Sequence, residues 1–213
     1  MTNTPQTAVK RMIEIELLAL DLTTCGRCTG TARNLADAID TVANVLRETG
    51  TGVRVTRHVV TSAEQAEQLR FAASPTIRVD GRDIALEFKQ SSCKDCGDLC
   101  GCDGGVDCRV WIWNGQEHLE APKGMLIDAL LKAYANGPAG RDTAAYRLPE
   151  NLRRFFAQAA VSRRTDATLA TGEQASDCCD RTTCCSNDAK AGCCEDGTGK
   201  SEPLDPQAVC GCK

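Results

Sequence analysis

Cysteine is the residue type in this chain with the greatest capacity for chemistry. It occurs 15 times in 213 residues, and its thiolate is both a nucleophile and a ligand for soft metals. The cysteines form three groups: a pair at 25 and 28, five between 93 and 108, and eight between 178 and 212. Each group has its own spacing and therefore predicts its own chemistry.

The composition limits the classes of protein to which the chain could belong. Its 25 Lys+Arg and 29 Asp+Glu give a net charge of -4, which argues against a general binder of nucleic acids or membrane surfaces. The sequence has no apolar run long enough to span a membrane, and its start, MTNTPQTAVKRM, has no signal-peptide core. We therefore expect a cytoplasmic protein, in which many cysteines indicate metal or redox chemistry more often than structural disulfides.

The first pair, Cys25-Gly-Arg-Cys28, lies between a predicted strand and a predicted helix. Residues 13–17 alternate and then become apolar through Leu20, which predicts a strand whose far end is buried on both faces. Residues 29–49 have a helical period ending at a glycine. The helix N-terminus and Arg27 would stabilise a thiolate, so Cys25 is predicted to be the more exposed, attacking sulfur and Cys28 the resolving one. A metal clamp and inert cysteines are the alternatives.

The remaining periodicity completes a β-α-β-α-β-β-α order. A capping box of Ser62 and Gln65 predicts a short second helix, and Asp80-Gly81 and Asn114-Gly115 predict hairpins. In chain order, the further predicted elements are strand 53–60, helix 62–71, strands 76–79 and 84–88, strands 109–113 and 116–119, and helix 123–135. These elements predict an α/β fold.

This order around a CxxC resembles the thioredoxin-like fold over residues 10–135, with a cysteine-rich insertion at 89–121 and an extra hairpin. Ser74-Pro75-Thr76 leads into the first hairpin, where thioredoxin-like proteins place a cis-proline loop against the CxxC. The resemblance implies that role for Pro75. Thr24 stands where many thioredoxins have tryptophan, and Arg27 replaces the usual proline or histidine.

The middle group has the spacing C-x2-C-x3-C-x-C-x5-C, in a loop with too few apolar residues to fold by packing. Clustered thiolates repel one another unless a cation neutralises them. Zinc would take four of the five sulfurs and leave one spare, whereas Cu(I), Hg(II) and trivalent arsenic would also suit them. A disulfide-linked loop is the alternative. The candidate ligands are Cys93, Cys96, Cys100, Cys102 and Cys108.

The stretch from Ser91-Ser92-Cys93 through Cys108-Arg-Val-Trp111 to Asn114-Gly115 resembles a little-characterised family of small bacterial thioredoxin-like proteins. That resemblance implies the fold with its insertion, and it implies no particular activity.

In the C-terminal third, residues 136–164 are predicted to form a linker and a docking amphipathic helix, and the helix begins at Pro149. Residues 165–213 are predicted to form a disordered tail. The tail cysteines are Cys178, Cys179, Cys184, Cys185, Cys193, Cys194, Cys210 and Cys212. Adjacent cysteines make strained disulfides with each other but good arms for a soft-metal chelate. They are similar to the vicinal pairs of arsenical metallochaperones, which hand trivalent arsenic to an efflux ATPase.

We therefore expect a protein that binds a soft metal or metalloid (arsenic, mercury, copper or zinc) through thiolates, for detoxification or transfer. Its partners would be the ion and an efflux or redox protein. A thiol-disulfide oxidoreductase or metal(loid) reductase using the CxxC is the main alternative, and a zinc-stapled binding module is the third. No phosphate loop or Ser-His-Asp set is present, and no organic cofactor is indicated, so whether the chain is an enzyme stays open.

Overall fold

The structure, a computed structural model, describes residues 10–85, 87–103, 105–138, 140 and 145–170, with side chains as far as residue 162. These residues form an α/β protein with two sheets and five helices. The chain divides into two units, Met1–Ala167 and Thr168–Lys213. Within the described ranges, no helix has the length and apolar character needed to cross a membrane.

The first sheet has the strand order β2-β1-β3-β4. Its strands are β1 (Arg11–Ala19), β2 (Thr51–Val59), β3 (Thr76–Val79) and β4 (Arg82–Asp83). β1 pairs parallel with β2 and antiparallel with β3. Ile13, Ile15 and Leu17 are buried on one face of β1, and Leu18 lies in a second core on the other face. The predicted two-sided burial at the far end of β1 is therefore confirmed.

The first core lies between this sheet and two helices, α1 (Gly26–Glu48) and α4 (Lys123–Asn136). α1 buries Leu35, Val42 and Leu46 at helical spacing, as the periodicity predicted. It begins at Gly26, earlier than the predicted start at Thr29, because Cys25 already has the extended conformation of an N-cap residue. The second cysteine of the CxxC therefore lies inside the first turn of α1.

The predicted turns are present. Ser62 caps the short helix α2 (Ala63–Gln68) by accepting the Gln65 N–H, while the Gln65 side chain accepts the N–H of Thr61. Asp80-Gly81 and Asn114-Gly115 all have positive φ values of 49° to 81°, as type I′ turns require. The strand predicted at 84–88 was wrong, because the strand after Asp80-Gly81, β4, covers Arg82–Asp83 and ends before that range.

The cysteine-rich stretch 93–108 of the insertion contains regular structure, so the prediction of a loop there was wrong, whereas the predicted hairpin of strands 109–113 and 116–119 is present. The insertion forms a second, antiparallel sheet in the order β5-β6-β7, with a helix between its first two strands. These elements are β5 (Lys89–Cys93), α3 (Lys94–Cys100), β6 (Val106–Trp113) and β7 (Gln116–His118). α3 buries only Cys96, Gly97 and Cys100, so cysteines supply the apolar face that a search for aliphatic residues misses.

The last described helix, α5 (Glu150–Ala170), buries Leu152, Phe155, Phe156 and Ala159. These side chains belong to the same buried cluster as the cysteines at 25, 28, 93, 96, 100 and 108. α5 also covers residues 165–170, where the sequence predicted the start of a disordered tail. All eight tail cysteines lie outside the described residues.

A buried arginine connects the two sheets. Arg109 of β6 donates its backbone N–H to Ser74 O at 2.7 Å, and its side chain, 1% exposed, makes a two-point ion pair with Asp83 of β4. The guanidinium also donates to Thr76 and lies 5.2 Å from the ring centroid of Trp111. The charge is therefore paired in a nearly water-free position, where an unpaired cation is costly.

Removal of Asp83 should destabilise the fold far more than removal of an exposed acid. Asp83→Ala leaves the buried Arg109 charge unpaired and should lower the free energy of unfolding by roughly 3 kcal/mol. Glu117→Ala breaks the exposed Lys89–Glu117 pair and should cost less than about 1 kcal/mol. Urea unfolding of the reduced full chain measures both values. Equal losses of unfolding free energy in the two variants would contradict a stabilising role for the Arg109–Asp83 ion pair.

Candidate metal centre

Five cysteine sulfurs from two distant parts of the sequence meet in one buried cluster. The Sγ atoms are separated by 3.6 Å between Cys25 and Cys96, 3.4 Å between Cys96 and Cys108, and 4.0 Å between Cys25 and Cys93. Cys28 completes the set, and all five thiols are at most 3% exposed. The CxxC and the insertion, predicted as two sites, therefore form a single one, which we call the five-thiol cluster.

The sulfurs fall into overlapping sets of three that could hold an ion. Cys25, Cys28 and Cys96 form one set, and Cys93, Cys96 and Cys108 form another, with all sulfurs of a set within 4.8 Å of one another. A tetrahedral zinc with Zn–S bonds near 2.3 Å separates its sulfurs by about 3.8 Å. The donor set and its spacing therefore fit zinc and other thiophilic ions with only small adjustments.

Four different elements deliver these sulfurs. Cys25 is the N-cap of α1, and Cys28 lies in the first turn of that helix. Cys93 ends β5 and caps α3, which carries Cys96, while Cys108 lies in β6 beside them. A Cβ on Gly97 would come within 2.6 Å of the Gly105 backbone, so glycine there lets α3 pack against the loop that returns to β6.

Asp21 fixes the loop that presents Cys25, and sequence reasoning missed it. Its carboxylate accepts the backbone N–H groups of Thr23, Thr24 and Cys25 at 2.6–3.0 Å, and both threonine hydroxyls. Burial favours the neutral acid, but these hydrogen bonds together hold the pKa of Asp21 well below its usual range. Asp21 lies two residues before Thr23-Thr24, and an Asp just before such polar residues commonly caps a turn. The sequence therefore contained a signal for this role.

Two charged side chains join the start of α1 to the insertion. Arg27 donates to Ser91 O, Ser91 Oγ and Ser92 O at 2.6–3.2 Å, and Asp95 of α3 accepts the N–H of Gly26 at 2.8 Å. Arg27 was predicted to stabilise a thiolate by its charge. The structure instead shows it holding β5 against the CxxC.

Hydrogen bonds among the thiols shift their pKa values in opposite directions. Donation from Cys25 and Cys96, together with the Ser74 hydroxyl 3.4 Å away, lowers the pKa of Cys28 to about 4. Ser74 Oγ accepts the N–H of Leu20, which leaves its own proton for Cys28. Donation from Cys108, Cys25 and Cys96 likewise lowers the pKa of Cys93.

The pKa values of the other three thiols of the cluster are raised. Hydrogen bonding with Cys28 raises the pKa of Cys25, and contact with Cys108 raises that of Cys96. The largest cause of the raised pKa of Cys108 is its hydrogen bond with Cys93. The cluster thus stabilises anionic sulfur at two positions inside an apolar pocket, where a bound cation would be strongly favoured.

Other predicted site residues have different surroundings. Cys25 was predicted to be the more exposed cysteine of its pair, and this was wrong, because both cysteines are 0% exposed. The Ser74–Pro75 bond is cis, and Ser74 beside it contacts Cys28. Cys100 and Cys102 are joined to each other by a disulfide, and neither belongs to a candidate ligand set among the described residues.

Fold and site together define an α/β protein with mixed sheets and a buried cysteine cluster that could hold a metal ion. Residues 12–130, more than half of the chain, match the family model described as "Domain of unknown function (DUF2703)", and the chain belongs to that family. The matched segment includes all five cysteines of the cluster. No curated protein and no solved structure matches the chain.

Replacement of Asp21 should destabilise the loop in front of the cluster. Asp21→Ala removes a charged acceptor from three backbone N–H groups and should lower the free energy of unfolding by about 1.5–3 kcal/mol. Asp40→Ala, on an exposed position of α1, is the control and should stay within about 0.5 kcal/mol of the parent. Urea denaturation of the reduced protein distinguishes them, and a loss at Asp21 no larger than at Asp40 would contradict this role.

Proposed function

We propose that this protein binds a soft metal or metalloid ion through the five-thiol cluster, for detoxification or for transfer to another protein. The observation that carries the proposal is the convergence of the CxxC and three insertion cysteines, in which three sulfur–sulfur contacts measure 3.4–4.0 Å and Cys28 lies within 4.8 Å of Cys25 and Cys96. The two all-cysteine sets, which we call the inner sets, contain thiolate donors and no carboxylate or imidazole. Such donors favour Zn²⁺, Cu(I), Hg²⁺ or trivalent arsenic over hard cations.

The burial of the five thiols also supports the binding of a cation. Thiolates in an apolar pocket are costly unless a positive charge neutralises them, and the wall of this pocket includes Leu152, Phe155 and Phe156 of α5. Binding would replace S–H···S contacts by sulfur–metal bonds and release protons. The same pocket would exclude water and oxidants from the loaded site.

The proposal includes the thioredoxin-like architecture and the tail. The strand order β2-β1-β3-β4, the CxxC at the start of α1 and a cis proline before β3 support a thioredoxin-like fold. The paired tail cysteines, Cys178 to Cys212, would act as a capturing arm that exchanges the ion with the cluster. A recipient efflux or redox protein would complete the transfer.

Removal of Cys96, the ligand that both sulfur sets share, should weaken ion binding by the folded domain. The test uses the full chain with all eight tail cysteines changed to serine, reduced and loaded anaerobically with Zn²⁺ or Cd²⁺. Cys96 belongs to both sulfur sets, so Cys96→Ser should weaken binding by more than about tenfold. Native mass spectrometry gives the stoichiometry, and competition with a chelator gives the affinity.

The matched control changes the two insertion cysteines outside the cluster. Cys100→Ser with Cys102→Ser should retain the ion, with circular dichroism as a check on folding because Cys100 is buried. Loss of the ion in this control, with Cys96→Ser unaffected, would contradict the assigned ligands. A parent protein that takes up none of Zn²⁺, Cd²⁺, Cu(I), Hg²⁺ or trivalent arsenic would refute the proposed function.

A thiol-disulfide oxidoreductase is the second candidate, favoured by the two free thiols of the CxxC at the start of α1. In that reaction Cys25 would attack a substrate disulfide, and Cys28 would displace the substrate as a dithiol by forming the Cys25–Cys28 disulfide. The burial of Cys25 weighs against it, because a bulky disulfide must reach that sulfur.

The CxxC alone should account for any disulfide reduction by the folded domain. With the tail cysteines changed to serine, Cys25→Ser should lose all reduction of a model disulfide above that of the thiol reductant, because the attacking sulfur is gone. Cys108→Ser should keep it, because Cys108 lies outside the CxxC. Reduction at the full rate by Cys25→Ser rules out the oxidoreductase.

A further inference from the structure

The carboxylate of Asp95 lies beside the five-thiol cluster. Among the candidate ligand sets of the described residues, it is the only exposed group. An oxygen of Asp95 and the sulfurs of Cys25 and Cys93 are all within 4.8 Å of one another, and these three residues form a third possible ligand set. The two sulfurs are 0% and 3% exposed, whereas Asp95 is exposed to solvent. This set therefore connects the solvent with the buried sulfurs.

The position of Asp95 is fixed by the fold. It lies in the first turn of α3, and its Oδ2 accepts the N–H of Gly26, which is itself exposed at the start of α1. Elsewhere the five thiols belong to the same buried apolar cluster as residues of α5, among them Leu152 and Phe155. A charged ion meets a polar ligand at the Asp95 side and an apolar barrier at the α5 side.

The set of two sulfurs and one carboxylate also differs chemically from the inner sets. Like the inner sets, it has three protein ligands, which leave the fourth position of a tetrahedral ion open to an exchanging ligand. A carboxylate is a weaker partner for a soft ion than a thiolate. The ion would therefore be held briefly at this set and more firmly further in.

We propose that Asp95 is the exchange ligand of the cluster: incoming ions bind first to Cys25, Cys93 and Asp95, and leave by the same route. This inference rests on the proposed function and adds to it a path and a residue. The open position at this set would accept the thiolate of whichever molecule delivers or removes the ion, including the tail cysteines.

The inward step is a ligand exchange without electron transfer. Cys96 Sγ, 3.6 Å from Cys25 Sγ, forms a bond to the ion as the bond from the ion to the Asp95 oxygen breaks. The thiol proton of Cys96 leaves to the buffer, and Asp95 is released as a free carboxylate. The outward step is the reverse, with a proton returning to Cys96.

The test measures exchange rates and affinity separately, in the full chain with its eight tail cysteines changed to serine. Stopped-flow absorbance of the sulfur–cadmium charge-transfer band follows Cd²⁺ uptake, and release to excess EDTA follows its loss. Asp95→Asn should slow uptake and release by a similar factor, about tenfold, and leave the equilibrium affinity nearly unchanged. Asparagine can still accept the Gly26 N–H, so the fold is preserved.

Asp98→Asn is the matched control, because Asp98 is an exposed acid on the same helix and is absent from the ligand sets. It loses the same charge and should keep the parent rates. The proposal is overturned if Asp95→Asn exchanges at the parent rate, if Asp98→Asn slows equally, or if Asp95→Asn loses affinity through faster release, as a permanent ligand would. A parent protein that takes up neither Cd²⁺ nor any of Zn²⁺, Cu(I), Hg²⁺ and trivalent arsenic would instead refute the proposed function itself.

Discussion

The sulfur contact between Cys25 and Cys96, 3.6 Å long, is the one on which both the insertion and the site depend. Helix α3 buries only two cysteines and a glycine, so it has no aliphatic face with which to pack on the domain. Its apolar partners are the sulfurs at the start of α1 and the residues around them. The ligands of the candidate ion are thus also the core of the insertion, which couples ion binding to local stability.

Contacts without sulfur hold the same elements together and free the thiols for chemistry. Arg27 binds the backbone of β5, Asp95 binds that of α1, and Arg109 ties β6 to the first sheet through Ser74 and Asp83. Because these bonds do not involve sulfur, they can persist while the buried sulfurs exchange the ion. Such preorganisation is what a site needs if it is to exchange ions without unfolding.

The periodic and turn signals predicted much of the fold. The two-sided burial of β1, the face of α1 and both type I′ turns followed from local rules that depend only on neighbouring residues. The site could be predicted only in part, because Cys93, Cys96 and Cys108 join Cys25 across more than 65 residues of sequence. Spacing within the insertion favoured a self-contained cluster, and nothing local revealed that the CxxC would supply two of its sulfurs. Cys100 and Cys102 fit the spacing equally well but are paired with each other.

In the proposed function, the sharing of Cys96 between two sulfur sets favours transfer over permanent storage. A structural zinc site closes four ligands around one position, whereas here Cys96 belongs to one set with Cys25 and Cys28 and to another with Cys93 and Cys108. An ion bound to either set needs to break only some of its sulfur bonds to reach the other, so each step has a small barrier compared with complete release. Five sulfurs for a four-coordinate ion are an excess in a structural site. In a site that passes an ion along, the fifth sulfur is the next ligand.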